Sequence, residues 1–306
     1  MEILIMVLLG QFWPIHLTPH ATVYFTTSFA YDRNPFQYPD GAIDSMIDGY
    51  IQLPIKSIDD FRTSFLGTLR YSLSPSTAVG FRVNVVSYAR NTEKGYQRFK
   101  LFLKSGNFNL DVSYLPYKLL FYTLKSGSPV GYHSARAGAD YRIDVASLCL
   151  KPGLATGMVK FENPTFDFMS GRFYQASLGL CRKTNCISAS YKVHRGAESD
   201  AVFSGYVQRG VKLTINEGLS KKLKLEFSAS YRNRYFVSSW EGYRRIDDIY
   251  STSVALEYRY NLRLGIVPFA EFYARRIWRD FASPISVGKG MPYNRPLLGI
   301  KLRFRI

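Results

Sequence analysis

Four histidines, three cysteines and forty lysines and arginines are the residues of this chain with chemistry to offer. Nucleophilic catalysis needs a nucleophile, a base within hydrogen-bond reach and a third group that orients the base. His16 and His20 lie in or beside an apolar N-terminal segment without such partners. His133 is followed at once by Ser134, and on a strand adjacent side chains point to opposite faces, so these two do not meet. His194 shares a parity with Ser188, Ser190 and Lys192, a set that a polar face carries without any reaction. No metal-ligand spacing, glycine-rich phosphate loop or repeat signature is present. The sequence therefore predicts no enzyme, no cofactor and no metal.

What remains is charge, and its placement is periodic. In 222–231 one parity carries Leu223, Leu225, Phe227, Ala229 and Tyr231, while the other carries Lys222, Lys224, Glu226, Ser228 and Ser230. A period of two is a strand with one apolar and one wet face. The same alternation recurs from about residue 22 to the end, in sets such as Phe61, Phe65 and Leu69, or Ile187, Ala189 and Tyr191. The opposite parities carry Arg62, Arg82, Arg98, Lys100, Arg136, Arg142, Lys192, Lys212, Arg232, Arg234, Arg259 and Arg275. A Lys or Arg at the lipid midplane costs about 2–4 kcal/mol, so in a membrane these residues must line an interior.

The elements that would position them are all strands. The pattern divides into 22–31, 61–73, 78–90, 96–104, 108–124, 134–150, 156–163, 171–182, 186–195, 203–217, 222–238, 247–261, 264–280 and 296–306. Short connections (74–77, 105–107, 151–155, 183–185, 218–221, 261–263) alternate with longer ones (32–60, 91–95, 125–133, 163–170, 196–202, 239–245, 281–294). Short turns on one rim and long loops on the other predict an all-β fold: a single closed antiparallel transmembrane barrel of about fourteen strands, within a range of roughly twelve to sixteen. Tyr (23) and Phe (22) far outnumber Trp (3), which suits strands and interfacial girdles. A mean hydropathy of -0.11 fits a barrel that hides polar residues inside. Residues 1–21 read as a signal peptide and 22–306 as the barrel domain, with a long first extracellular loop at 32–60. The formal charge of +17 raises nucleic acid as a partner, but the basic residues are spread over alternate strand positions and no nucleic-acid motif is present, so that partner is excluded.

The segment Tyr31-Asp32-Arg33-Asn34-Pro35-Phe36 resembles the Y-D-x-N-P-F stretch that opens many bacterial outer-membrane barrels of the porin-2-like type. The closing stretch, from Asp247-Asp248-Ile249-Tyr250 through Leu256-Glu257-Tyr258-Arg259 and Tyr293-Asn294-Arg295 to Leu302-Arg303-Phe304, is similar to the last hairpins of such proteins. The resemblance implies an integral protein of the outer membrane of a Gram-negative-type bacterium, delivered by the barrel-insertion machinery. Some members are associated with polysaccharide export, and related barrels assist surface lipoproteins. The chain departs from the group at Ile306, where an aromatic is usual.

Two further features carry alternatives. Cys181 and Cys186 flank a four-residue turn and fall on one face, either as a cross-strand disulfide in an oxidising periplasm or as two small interior residues with free thiols. The loop 32–60 holds Asp40, Asp44 and Asp48 among its carboxylates, together with Met46, Leu53 and Ile55. It is either a solvated surface loop or an inward-folding constriction that meets the basic wall. The function expected is a pore or export conduit favouring anionic solutes or polymers such as polysaccharide. The alternative is a non-conducting scaffold that assembles with a secretion or export partner.

Overall fold

The computed structural model describes residues 20–36, 46, 52–123, 126–164, 170–182, 185–196, 205–220, 222–237, 246–261, 269–282 and 293–305. Fifteen strand segments follow one another: β1 (Ala21–Asp32), β2 (Asp60–Ser72), β3 (Thr77–Tyr88), β4 (Tyr96–Ser105), β5 (Phe108–Tyr122), β6 (Pro129–Tyr141), β7 (Ile143–Val145) and β8 (Leu148–Phe161). They continue as β9 (Gly171–Arg182), β10 (Asn185–Gly196), β11 (Gly205–Gly218), β12 (Leu223–Val237), β13 (Ile246–Asn261), β14 (Phe269–Ala282) and β15 (Tyr293–Arg305). Every pairing is antiparallel, and strands pair with their neighbours in sequence except β6 with β8 and β1 with β15.

The ladder closes on itself. β1 pairs with β2 on one side and β15 on the other, and β6 pairs with β5 and β8. β7 continues the register of β6 on β8, since Asp140 faces Gly153 and Ile143 faces Leu150. β6 and β7 are therefore one strand interrupted at Arg142, and the barrel has fourteen strands, the number the alternation predicts. In a bilayer closure is what satisfies the backbone, because an open edge would leave N–H and C=O groups without partners in lipid.

The expected boundaries fail around residue 150. A turn at 151–155, suggested by Pro152-Gly153, is instead the middle of β8, and the turn lies at Ala146 and Ser147, with Ala146 at φ +52°. Pro152 is tolerated because it falls in the interruption between β6 and β7, where its missing N–H breaks no ladder bond. The strand expected at 264–280 runs from Phe269 to Ala282, and the connection at 262–268 lies outside the described residues. At the short turn between β4 and β5, Gly106 takes φ +55°, a conformation that glycine adopts without strain. Residues 1–19 of the expected signal segment lie outside the described residues, and Ala21 already begins β1.

Facing follows the period of two. Phe61, Leu69, Leu101, Val112, Leu154, Leu178, Ile187 and Val211 are large, apolar and exposed on the outer parity. For a soluble protein that band would be an aggregation hazard; around a barrel it is the lipid-facing surface. The other parity looks onto polar cavities inside the ring.

Candidate functional site in the barrel interior

The registers fix which interior side chains are neighbours. On β9, β10, β11 and β12 four rows run across the wall: Gln175, Lys192, Gln208 and Arg234; Ser177, Ser190, Gly210 and Arg232; Gly179, Ser188, Lys212 and Ser230; Cys181, Cys186, Thr214 and Ser228. These positions hold four cations and no carboxylate. The many serines and glycines leave room, and the wall borders a cavity of about 890 Å³ whose lining adds Lys151, Asp140 and Ser251. Hydroxyls that donate and accept, interspersed with ammonium and guanidinium groups, suit a hydrated anion better than an apolar ligand.

The facing wall, β2 to β6, has more cations and uses them differently. Asp111 on β5 accepts from Lys100 Nζ at 3.2 Å and Arg136 Nη1 at 3.2 Å, so one carboxylate engages two strands' cations. Arg82, directly opposite Lys100, donates from Nε to Thr68 Oγ1 at 3.3 Å and lies 5.8 Å from the centre of the Phe102 ring. Arg98 faces Asn84 in the register, and Arg62 faces Tyr88. Arg142 sits at the interruption beside the short-turn rim, paired with Asp144 at 2.8 Å and exposed.

Near the long-loop rim the first loop is pinned to this same wall. Asp60 is 1% exposed and accepts from the backbone N–H of Arg90 (2.9 Å) and of Asn91 (2.7 Å), and from Asn91 Nδ2 (3.0 Å). Asn91, fully buried, accepts in turn from the N–H groups of Lys56 (2.9 Å) and Ser57 (3.3 Å). Phe36 and Leu119 form an apolar knot with Met46, Leu53, Ile55, Tyr117, Phe121 and Tyr122 packed on it. Lys94 donates to the Leu120 carbonyl, with its ammonium 4.6 Å from the Phe36 ring centre. Beneath these groups the interior-facing Val86 and Leu115 are each 1% exposed. At the edge of this anchor the Tyr31 hydroxyl (2.5 Å) and the Ser57 hydroxyl (2.8 Å) donate to the Asp59 carboxylate and hold it below the usual carboxylate range, with Arg90 3.0 Å away adding to the effect.

The β9–β12 wall ends at the same rim in a stack of rings and cations. His194 lies parallel to Tyr206 with centroids 4.7 Å apart, and the Arg234 guanidinium is 4.5 Å from the Tyr206 ring. Lys192 Nζ is 4.2 Å from the Phe173 ring centre. Phe173 lies across Gly157, where an added Cβ would come within 2.7 Å of it, so the missing side chain is what lets the ring lie flat. Arg234 also donates to Gln208 Oε1 at 3.1 Å, which fixes its plane.

Each basic residue singled out in the sequence falls on the interior parity. Arg259 and Arg275 are placed by register alone, with Cα partners Glu271 and Ala255. Asp40, Asp44 and Asp48 lie outside the described residues. Cys181 and Cys186 are register partners with Cα atoms 4.1 Å apart and their sulfurs bonded, and Cys149, the partner of Cys181 on its other side, is a buried thiol. Sequence reasoning placed Arg70 on the interior parity but missed Lys151 and Lys104 as lining residues, and Asp60 with Asn91 as the anchor. For Lys151 and Lys104 the parity signal was present; for the anchor no local signal exists.

A closed antiparallel barrel, apolar outside and basic within, has the architecture of an integral outer-membrane protein. No protein-family model matches the chain, and no curated protein is significantly similar to it. Among solved structures it is similar to OccAB3 of Acinetobacter baumannii, with 9% identity over 94% of this chain and 100% of that one and a TM-score of 0.47. OccK2 (OpdF) of Pseudomonas aeruginosa gives 10% identity over 94% and 98% at a TM-score of 0.46. The outer membrane protein opdK of Pseudomonas aeruginosa gives 8% over 95% and 100% at 0.45. At such scores the likeness fixes neither strand number nor cargo; both follow from this chain's own ladder and side chains.

Proposed function

We propose that the chain is a pore of the bacterial outer membrane whose interior favours anionic solutes or anionic polymer. The observation that carries this function is the block of four rows on β9–β12, in which Lys192, Lys212, Arg232 and Arg234 stand among serines and amides with no carboxylate between them. Basic rings favour anions, and a passage about one Debye length wide (roughly 8 Å at physiological salt) does not screen its own wall. Outer-membrane lipid surrounds the barrel, and the barrel-insertion machinery is the partner that delivers it.

Planar-bilayer recording under a salt gradient tests this. The reversal potential should show anion preference that weakens as salt is raised; cation preference at low salt overturns the anionic cargo while leaving the barrel. The second function, a non-conducting scaffold for an export or secretion partner, is favoured by the first loop's packing of Met46, Leu53 and Ile55 on Phe36 and Leu119. Silence in the bilayer, relieved by deleting residues 40–55, would select it.

A further inference from the structure

On the outer parity, cations are expected only where lipid ends. At the long-loop end β8, β9 and β10 present Lys160, Arg172 and Arg195 outward, all three exposed, while exposed Arg209 on β11 lies two same-face steps lower, opposite Tyr191. Arg172 and Arg195 are direct register partners. Lys160 is two positions beyond Met158, which faces Arg172, so Lys160 and Arg172 are diagonal neighbours about 7–8 Å apart. Like charges placed directly opposite on a strand pair are destabilising. Among the described residues no acidic side chain forms an ion pair with any of the four. On the same face Tyr174 lies one step below Arg172, and Tyr191 a step further down beside Arg209, at the depth where a barrel's aromatic girdle meets the headgroups. On the β1–β2 sector the corresponding outward positions are Tyr31 and Phe61, without a cation. The cationic cluster thus has no counterpart on that sector.

We propose that Lys160, Arg172 and Arg195 form a binding site for a phosphorylated glycolipid of the outer leaflet. Arginine pairs bidentately with phosphate oxygens, so one phosphate bridging Arg172 and Arg195 turns their repulsion into shared attraction, while Lys160 reaches a second group. The acyl chains of such a lipid lie along the apolar face below, past Tyr174 and Leu178. The inference rests on the outer-membrane orientation proposed above, with long loops outward. Binding is read in detergent without reference to conductance, so a failure here and a failure of the pore are separate results.

The test is native mass spectrometry of the full folded chain in detergent, titrated with a bisphosphorylated glucosamine-disaccharide lipid and with its dephosphorylated form. The phosphorylated lipid should stay bound, and K160Q/R172Q/R195Q should weaken it at least about tenfold, since charge-assisted bonds to phosphate are the strong ones. The interior variant K212Q should bind as the unaltered chain does. Equal binding by the triple variant, or equal binding of the dephosphorylated lipid, overturns the proposal. Displacement by millimolar inorganic phosphate would make this a free-anion site and overturn the lipid assignment. Heat-dependent gel mobility reports folding of each variant, and if the triple variant does not fold, R195Q alone must still weaken phosphorylated-lipid binding for the site to stand.

Discussion

The two inner walls both carry cations, more of them on β2–β6, and differ in what faces them. On β2–β6 Asp111 holds Lys100 and Arg136, and Arg82 is turned to Thr68 and Phe102. On β9–β12 serines, glycines and amides surround Lys192, Lys212 and the two arginines, and a cavity opens beside them. Charge count does not explain that difference; the chemistry of the register partner does. One wall is cross-linked by ion pairs and overlain by a loop, which makes it structural. The other sets its cations among hydroxyls and amides, with Asp247 of β13 as Arg234's register partner.

The strongest way to break this contrast is at the loop anchor. Asp60→Ala leaves three donors on Arg90 and Asn91 without their acceptor, and each buried unsatisfied group costs about 1–3 kcal/mol. The loop should detach, with increased protease cleavage within 37–55 and higher conductance if the loop narrows the passage. Unchanged cleavage and conductance would mean that the loop is held by other contacts. Next in size, Lys192→Ser with Lys212→Ser and Arg232→Ser should move the reversal potential toward zero, whereas Lys100→Ser with Arg136→Ser should move it less. Equal shifts would erase the distinction between the walls. Asp111→Asn sharpens it from the other side, since releasing two clamped cations should raise anion preference modestly; a fall would show that Lys100 and Arg136 do not face the passage.

The smallest effect concerns pH. Asp59 is held below its ordinary value of 3.8 chiefly by the Tyr31 hydroxyl, then by that of Ser57. A depressed carboxylate stabilises the fold fully above its unfolded value, and that contribution is lost as pH falls through the lower folded value. The Asp59 carboxyl carbon should therefore titrate by NMR with a midpoint below 3.8, and Tyr31→Phe should raise it. A midpoint unmoved by that substitution would remove Tyr31 as the cause.

The sheet, its closure and the inner parity were legible because a period of two survives any uncertainty about where a strand begins. The turn at Ala146 and Ser147 was not: alanine is no turn former and a lone serine is a weak signal, while Pro152-Gly153 five residues on imitates a turn and sits in a gap of the ladder. Parity also says nothing about which cation meets which acid. Lys100 and Arg136 reach Asp111 only through the β4–β5 and β5–β6 registers, which the sequence does not print. Asp60 and Asn91 are separated by 31 positions with no motif between them, so that pair appears only in three dimensions.

The seam between β1 and β15, where Phe25 meets Phe304 and Phe29 meets Ile300, sets a timetable for assembly. Every other ladder joins strands adjacent in sequence and can zip as a hairpin soon after synthesis; this one waits for the whole chain. Until then the nascent sheet exposes two sticky borders, one at each extreme, and any identical molecule nearby offers the same borders. A ribosome that stops before residue 293 would release a ribbon that is nearly all sheet and has no way to shut. Such a product is a candidate for intermolecular strand exchange, so a cell making this protein needs a holding chaperone for the interval between the first strand and the last.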